Sequence, residues 1–231
     1  VASEQAHARE VDKVRDEELG VDDARQNGRG TALADILYDG RLGIIIGIWN
    51  GYHRAYVPVR RSFLDYATEA FREPSLVRTV ISADFDNDGN DEFIVTGFRY
   101  NNLALGFNGE TLENKITDNI FSDQERSTIG VAACDIDKDG SEEIYFLNTD
   151  TYSGMKMYSD RLLINTQNVI DDLFEKEINQ SELNLTAGRS VVCVDREGKG
   201  NYGIYVANYG GPTRFYEFID NRVVDLAASL G

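Results

Sequence analysis

Asp84-Phe85-Asp86-Asn87-Asp88-Gly89-Asn90-Asp91-Glu92 and Asp135-Ile136-Asp137-Lys138-Asp139-Gly140-Ser141-Glu142-Glu143 are one pattern, DxDxDGxxE, written twice in the chain. A short apolar run precedes each, at residues 80–83 and 131–134, and a continuous apolar triplet follows each, Phe93-Ile94-Val95 and Ile144-Tyr145-Phe146. Continuous apolarity in β-branched and aromatic residues over a few positions indicates a strand covered on both faces. Strand, Gly-bearing loop, strand is a hairpin.

Weaker copies lie on either side. Asp35-Ile36-Leu37-Tyr38-Asp39-Gly40-Arg41-Leu42-Gly43 stands between residues 31–34 and Ile44-Ile45-Ile46, and Asp195-Arg196-Glu197-Gly198-Lys199-Gly200-Asn201-Tyr202-Gly203 between residues 191–194 and Ile204-Tyr205-Val206. The four aspartates recur at roughly 50- to 60-residue intervals, the signature of a repeat architecture. Arg29, Arg78 and Arg189 each precede their aspartate by the same six positions, where the third copy has Ile129. Two turns also align, Trp49-Asn50-Gly51-Tyr52-His53-Arg54-Ala55-Tyr56 with Tyr209-Gly210-Gly211-Pro212-Thr213-Arg214-Phe215-Tyr216, each leading into an aromatic third strand; a fourth strand is expected at segments such as 105–107 and 222–226. Units of this length built from short antiparallel strands predict an all-β chain, a β-propeller of about four blades over residues 25–231. The terminal stretch Asp225-Leu226-Ala227-Ala228-Ser229-Leu230-Gly231 reads as the link before a new blade, which favours part of a larger ring over a closed four-bladed one. Residues 1–24 alternate acidic and basic positions, with Ala6, Ala8, Val11, Val14 and Leu19 at loosely helical spacing, and predict a surface helix or connecting segment.

The two full loops carry the chemistry. Alternate carboxylates in a tight loop, Asp84, Asp86 and Asp88 or Asp135, Asp137 and Asp139, point to a common centre; Asn90 and Ser141 offer a backbone carbonyl, and Glu92 and Glu143 close the shell. Oxygen-only ligands suit a hard cation that takes six to eight of them, Ca²⁺, better than Mg²⁺ with its strict octahedron. Transition metals would want His or Cys. Two Ca²⁺ sites are therefore expected. An EF-hand needs an acid at position twelve, where these loops have Val95 and Phe146. In the first copy Leu37 and Gly43 replace two ligands, leaving Asp35 and Asp39 as a weak site. In the last, Lys199 stands at the central carboxylate's place, where its ammonium can pair with Asp195 and Glu197.

The chain has 231 residues, 40 acidic against 23 Lys and Arg, and a formal net charge of −17. Such a field repels phosphate backbones and anionic lipid surfaces. No apolar run is long enough to span a bilayer, and residues 1–20 contain no apolar signal core. Asn179-Gln-Ser181 and Asn184-Leu-Thr186 are glycosylation acceptors, which permits a secreted or lumenal location. Cys134 and Cys193 lie in equivalent strands but are offset by one residue relative to their aspartates, which points them to opposite faces and favours free thiols over a disulfide. His7 and His53 belong to no triad or metal motif, and the arginine series is expected to pair with loop acids rather than to bind an anionic ligand.

The DxDxDGxxE hairpins resemble the FG-GAP repeat of integrin alpha-subunit propellers, and longer strings look like the cartilage acidic protein family. These are Gly130-Val131-Ala132-Ala133-Cys134-Asp135-Ile136-Asp137 with Glu142-Glu143-Ile144-Tyr145-Phe146-Leu147-Asn148, Ala187-Gly188-Arg189-Ser190 with Val206-Ala207-Asn208-Tyr209, and Asn27-Gly28-Arg29-Gly30 with Trp49-Asn50-Gly51-Tyr52-His53-Arg54. The resemblance runs from Arg25 to Gly231. It implies a secreted or lumenal calcium-binding propeller without catalytic activity, used for protein interaction or matrix organisation, in a family whose rings generally have about seven blades. The competing expectation is a propeller-fold carbohydrate-active hydrolase or lyase with structural calcium, which requires a pair of acids outside the calcium loops facing each other across a pocket.

Overall fold

A computed structural model describes residues 27–231. The helical segment expected at 1–24 lies outside the described residues. Four up-and-down antiparallel units of four strands follow one another in chain order: β1 (Gly28–Ala34), β2 (Gly43–Gly51), β3 (Arg54–Val59) and β4 (Ser62–Asp65); β5 (Ser75–Ala83), β6 (Glu92–Gly97), β7 (Leu103–Phe107) and β8 (Leu112–Asn114); β9 (Thr128–Cys134), β10 (Glu143–Asn148), β11 (Arg161–Thr166) and β12 (Val169–Asp172); β13 (Gly188–Val194), β14 (Gly203–Asn208), β15 (Arg214–Ile219) and β16 (Arg222–Asp225). A short parallel pairing of Trp49 and Gly51 with Ser75 and Leu76 joins the first two units at one edge. Residues 105–107, expected as a fourth strand, belong to the third strand β7; Leu112–Asn114 is the fourth.

The first strands of the units lie side by side, β1 against β5, β5 against β9 and β9 against β13, and no comparable contact returns from β13 to β1 among the described residues. Gly30 permits the first approach, since a Cβ there would sit 2.5 Å from the Val80 backbone nitrogen. Three apolar cores fill the three spaces between units. Alternation along the second strands assigns each side chain to a core: in β6, Phe93 and Val95 face the first unit and Ile94 the third. In β10, Ile144 and Phe146 face the second unit while Tyr145 and Leu147 face the fourth. This is why both triplets are continuously apolar.

The outer units depart from that expectation. Ile45 is buried between units one and two, but Ile44 and Ile46 on its other face are only half-buried; in β14, Tyr205 is 39% exposed between buried Ile204 and Val206. Leu33 and Val192 are exposed on the same outer faces.

Cys134 and Cys193 form a disulfide, overturning the expectation of free thiols. The one-residue offset does send the two side chains to opposite faces of their own sheets. Since β9 and β13 belong to adjacent, facing sheets, opposite faces are the two that meet, and the Cα atoms are 6.3 Å apart.

Candidate metal centres

All four loops share a backbone frame. Positions four and six have positive φ in each: Tyr38 and Gly40, Asn87 and Gly89, Lys138 and Gly140, Gly198 and Gly200. The position-six N–H donates to the first aspartate every time, with Asp84 and Asp135 accepting from Gly89 and Gly140 at 3.0 Å and Asp195 from Gly200 at 2.7 Å; Asp35 accepts likewise from Gly40. Positive φ favours Gly, and Asp readily closes such turns. The bend is thus encoded by Asp and Gly alone, and the remaining positions decide what the bend can hold.

In the two full loops the buried Glu reaches back from the first residue of the second strand. Glu92 Oε2 accepts from Phe85 N at 3.1 Å, and Glu143 Oε2 from Ile136 N at 2.9 Å. Asp84, Asp86 and Glu92 bring carboxylate oxygens within 4.8 Å of one another, as do Asp135, Asp137 and Glu143. Asp84 Oδ1, Glu92 Oε1, Asp135 Oδ1 and Glu143 Oε1 are buried and have no hydrogen-bond partner. Leaving such groups unsatisfied costs about 1–3 kcal/mol each. The same two oxygens are orphaned in each of the two repeats, and they fit a hard divalent cation.

The electrostatics agree with the geometry. Burial pushes the Glu92 carboxyl up to about 8, reinforced by the charge of Asp86. Glu143 is likewise pushed up to about 8 by burial, against which Ile136 N–H donation pulls down. Asp86 and Asp137 are also raised, first by burial and then by neighbouring aspartates. A bound cation would reverse this preference for the neutral acids.

The remaining expected ligands stand apart. Asp88 Oδ1 accepts from Asn90 N at 2.8 Å and Asn90 Nδ2 at 3.0 Å, and Asp139 Oδ1 from Ser141 N at 2.7 Å, so these pairs brace the exposed outer turn. In the first copy Asp39 is paired with Arg41, and among the described residues no third acid joins Asp35. In the last, Lys199 pairs with Glu197 at 2.8 Å, while Asp195 is held by backbone N–H groups. Glu142 is a residue the sequence pattern did not single out: its Oε2 accepts from Asp84 N at 3.2 Å, tying one full loop to the other.

The arginine series does not pair with loop acids. Arg29 lies over Trp49, Arg78 over Trp49 and Phe98, and Arg189 over Tyr152 and Tyr209. His53 is buried and neutral, its Nδ1 accepting from Ile48 N at 2.9 Å and Nε2 meeting Ser75 Oγ at 2.7 Å.

Both sequon asparagines are interior. Asn179 donates to Leu173 O and accepts from Val223 N; Asn184 donates to Asp160 and Asn208 and accepts from Asn208. Both amides are buried and hydrogen-bonded through nitrogen and oxygen in this fold.

A recess of about 600 Å³ between Thr68, Phe71, Tyr100 and Leu112 contains one acid, Glu113, which pairs with Lys115. No helix among the described residues is long and apolar enough to cross a membrane.

Residues 70–146, which contain both full loops, match the family model described as the FG-GAP-like repeat. Over 166 residues, 65% of this chain, the sequence is 45% identical to cartilage acidic protein 1 of Xenopus tropicalis and 40% identical to that of Homo sapiens. The chain carries an FG-GAP-like repeat and is a homologue of cartilage acidic protein 1. It matches 26% and 25% of those two proteins, so the alignment spans about a quarter of the length of these relatives.

Proposed function

We propose that the chain is a non-catalytic segment of an FG-GAP β-propeller, four blades in which two Ca²⁺ ions pin adjacent hairpin loops and make one edge of the array a rigid surface for protein partners. The observation that carries this is the repetition of one donor set, with the same carboxylate oxygens buried and unpartnered, in two consecutive repeats. Oxygen-only donors favour Ca²⁺ over softer metals. Burial of the outer faces of units one and four by further blades of a longer ring is consistent with the apolar side chains exposed there. The disulfide and the homology to cartilage acidic protein 1 support a secreted or lumenal location.

Melting curves with and without a chelator test the reading. At a hundredfold excess of Ca²⁺ over its Kd, each site adds about 2.7 kcal/mol, or about 5–10 °C for a chain of this size. Coincident curves in chelator and in Ca²⁺ would refute it.

A further inference from the structure

We propose that Arg29, Arg78 and Arg189, with the aromatic rings they stack on, form a binding site for a small oxoanion such as sulfate where the first strands of the four units come together. The site starts in the backbone. Each first strand carries one unpaired residue, a bulge, at the same place: Arg29 between Gly28 and Gly30, Arg78 between Val77 and Thr79, Ile129 between Thr128 and Gly130, and Arg189 between Gly188 and Ser190. Bulges re-aim the side chain they contain. Here four repeats re-aim the same position, and three of them place an arginine there.

The rings follow the same logic. The residue just after the pair opposing each bulge is Trp49, Phe98, Thr149 or Tyr209. The repeat that lacks the arginine also lacks the aromatic, so the two behave as one unit. Arg78 lies 5.4 Å from the Trp49 ring of the preceding unit and 5.8 Å from Phe98 of its own; Arg189 lies 4.7 Å from Tyr152 of the preceding unit and 5.4 Å from Tyr209 of its own. Stacking fixes the guanidinium planes and leaves their in-plane N–H donors for a tetrahedral or planar oxoanion.

What is missing beside these cations is a counter-charge. Among the described residues none of the three has a carboxylate partner, in a chain of net charge −17. Among the described residues their guanidiniums make one hydrogen bond, Arg189 Nη1 donating to Gly188 O at 3.0 Å. Burial, and after it the charges of Arg29 and Arg189, lower the pKa of Arg78. A recess of about 540 Å³ opens between Arg78, Arg189, Phe98 and Tyr152. Its one acid, Asp150, accepts from Met157 N at 2.9 Å in its own loop. The surrounding negative field disfavours a long polyanion, so the ligand is a small oxoanion, free or carried on a sugar whose face lies against the rings, and sulfate is the probe.

Trp49 is the sole tryptophan and touches two of the arginines, so its fluorescence reports on the site directly. Sodium sulfate and a sulfated monosaccharide are titrated separately at constant ionic strength set with chloride. A saturable change is expected with both, with half-saturation raised about tenfold in Arg78→Gln and in the more exposed Arg189→Gln. Tighter binding of the sulfated sugar assigns the site to a carried sulfate, and equal binding to the free anion. The absence of a saturable change in the unsubstituted chain, or half-saturation unmoved in both folded variants, would overturn the proposal. Should Arg78→Gln fail to fold, Arg189→Gln and a sulfate-dependent melting shift carry the test.

Discussion

At the scale of the residue, the two loops separate groups that shape the turn from groups that can hold an ion. Asp84 and Gly89 recur in function in all four loops, including the two that have lost half of the pattern's acids. Asp86 and Glu92 distinguish the full loops, and Asp88 faces its own turn. Glu92→Gln and Asp86→Asn are accordingly expected to weaken Ca²⁺ binding at that loop by tenfold or more, a loss of about 1.4 kcal/mol or greater. Asp88→Asn should cost only a few-fold, and calcium affinities of the three variants check the ranking. The ligand pattern was legible because it is local, nine consecutive positions with a glycine at the bend. Which of its acids converge was not, because the placement of Glu92 depends on the Phe85 N–H across the hairpin. The burial of Asn179 and Asn184 escaped the sequence for a similar reason: a sequon names a local triplet, whereas the bonds that commit these amides come from residues as distant as Val223.

At the scale of the element, the hairpins and their spacing were readable from apolar triplets, but contacts between sheets were not. The disulfide is the clear case. Position parity within a strand correctly gave opposite faces, and only the facing of neighbouring sheets turns opposite faces into contact. Closing a loop with a sequence separation of 59, the bond contributes about 4 kcal/mol by chain-entropy reasoning. Cys134→Ser with Cys193→Ser should lower the melting temperature by roughly 8–16 °C, a shift that calorimetric scanning would resolve. His53 bridges the edge where β2 meets β5. Burial holds its pKa down at about 4 against an ordinary 6.5. A group depressed in the folded state and cationic when protonated contributes stability above pH 6.5 that is lost as pH falls toward 4, because the unfolded chain binds its proton first. His53→Asn, which can keep the acceptor for Ile48 N–H, should flatten that acid slope relative to the parent chain in melts over this range. An unchanged slope would assign the acid loss to other groups.

At the scale of the whole molecule, the feature that needs explanation is an array with three filled interfaces and two outer faces that are apolar and partly bare. Read from sequence, all four second strands looked buried on both sides; among the described residues only the middle two are, since each inner unit has two neighbours and each outer unit one. Polar substitution should reveal the difference. Val192→Ser on the exposed face of unit four should change stability by no more than about 0.5 kcal/mol, whereas Ile144→Ser in the core between units two and three should cost several times that amount, as comparative melts would show. The central expectation is that the two full loops are ion sites, and calorimetric titration of Ca²⁺ into metal-free chain tests this most directly. The expected result is two ions bound per chain, one in Glu92→Gln and none in Glu92→Gln with Glu143→Gln. No heat of binding, or a stoichiometry that survives the double substitution, would contradict it.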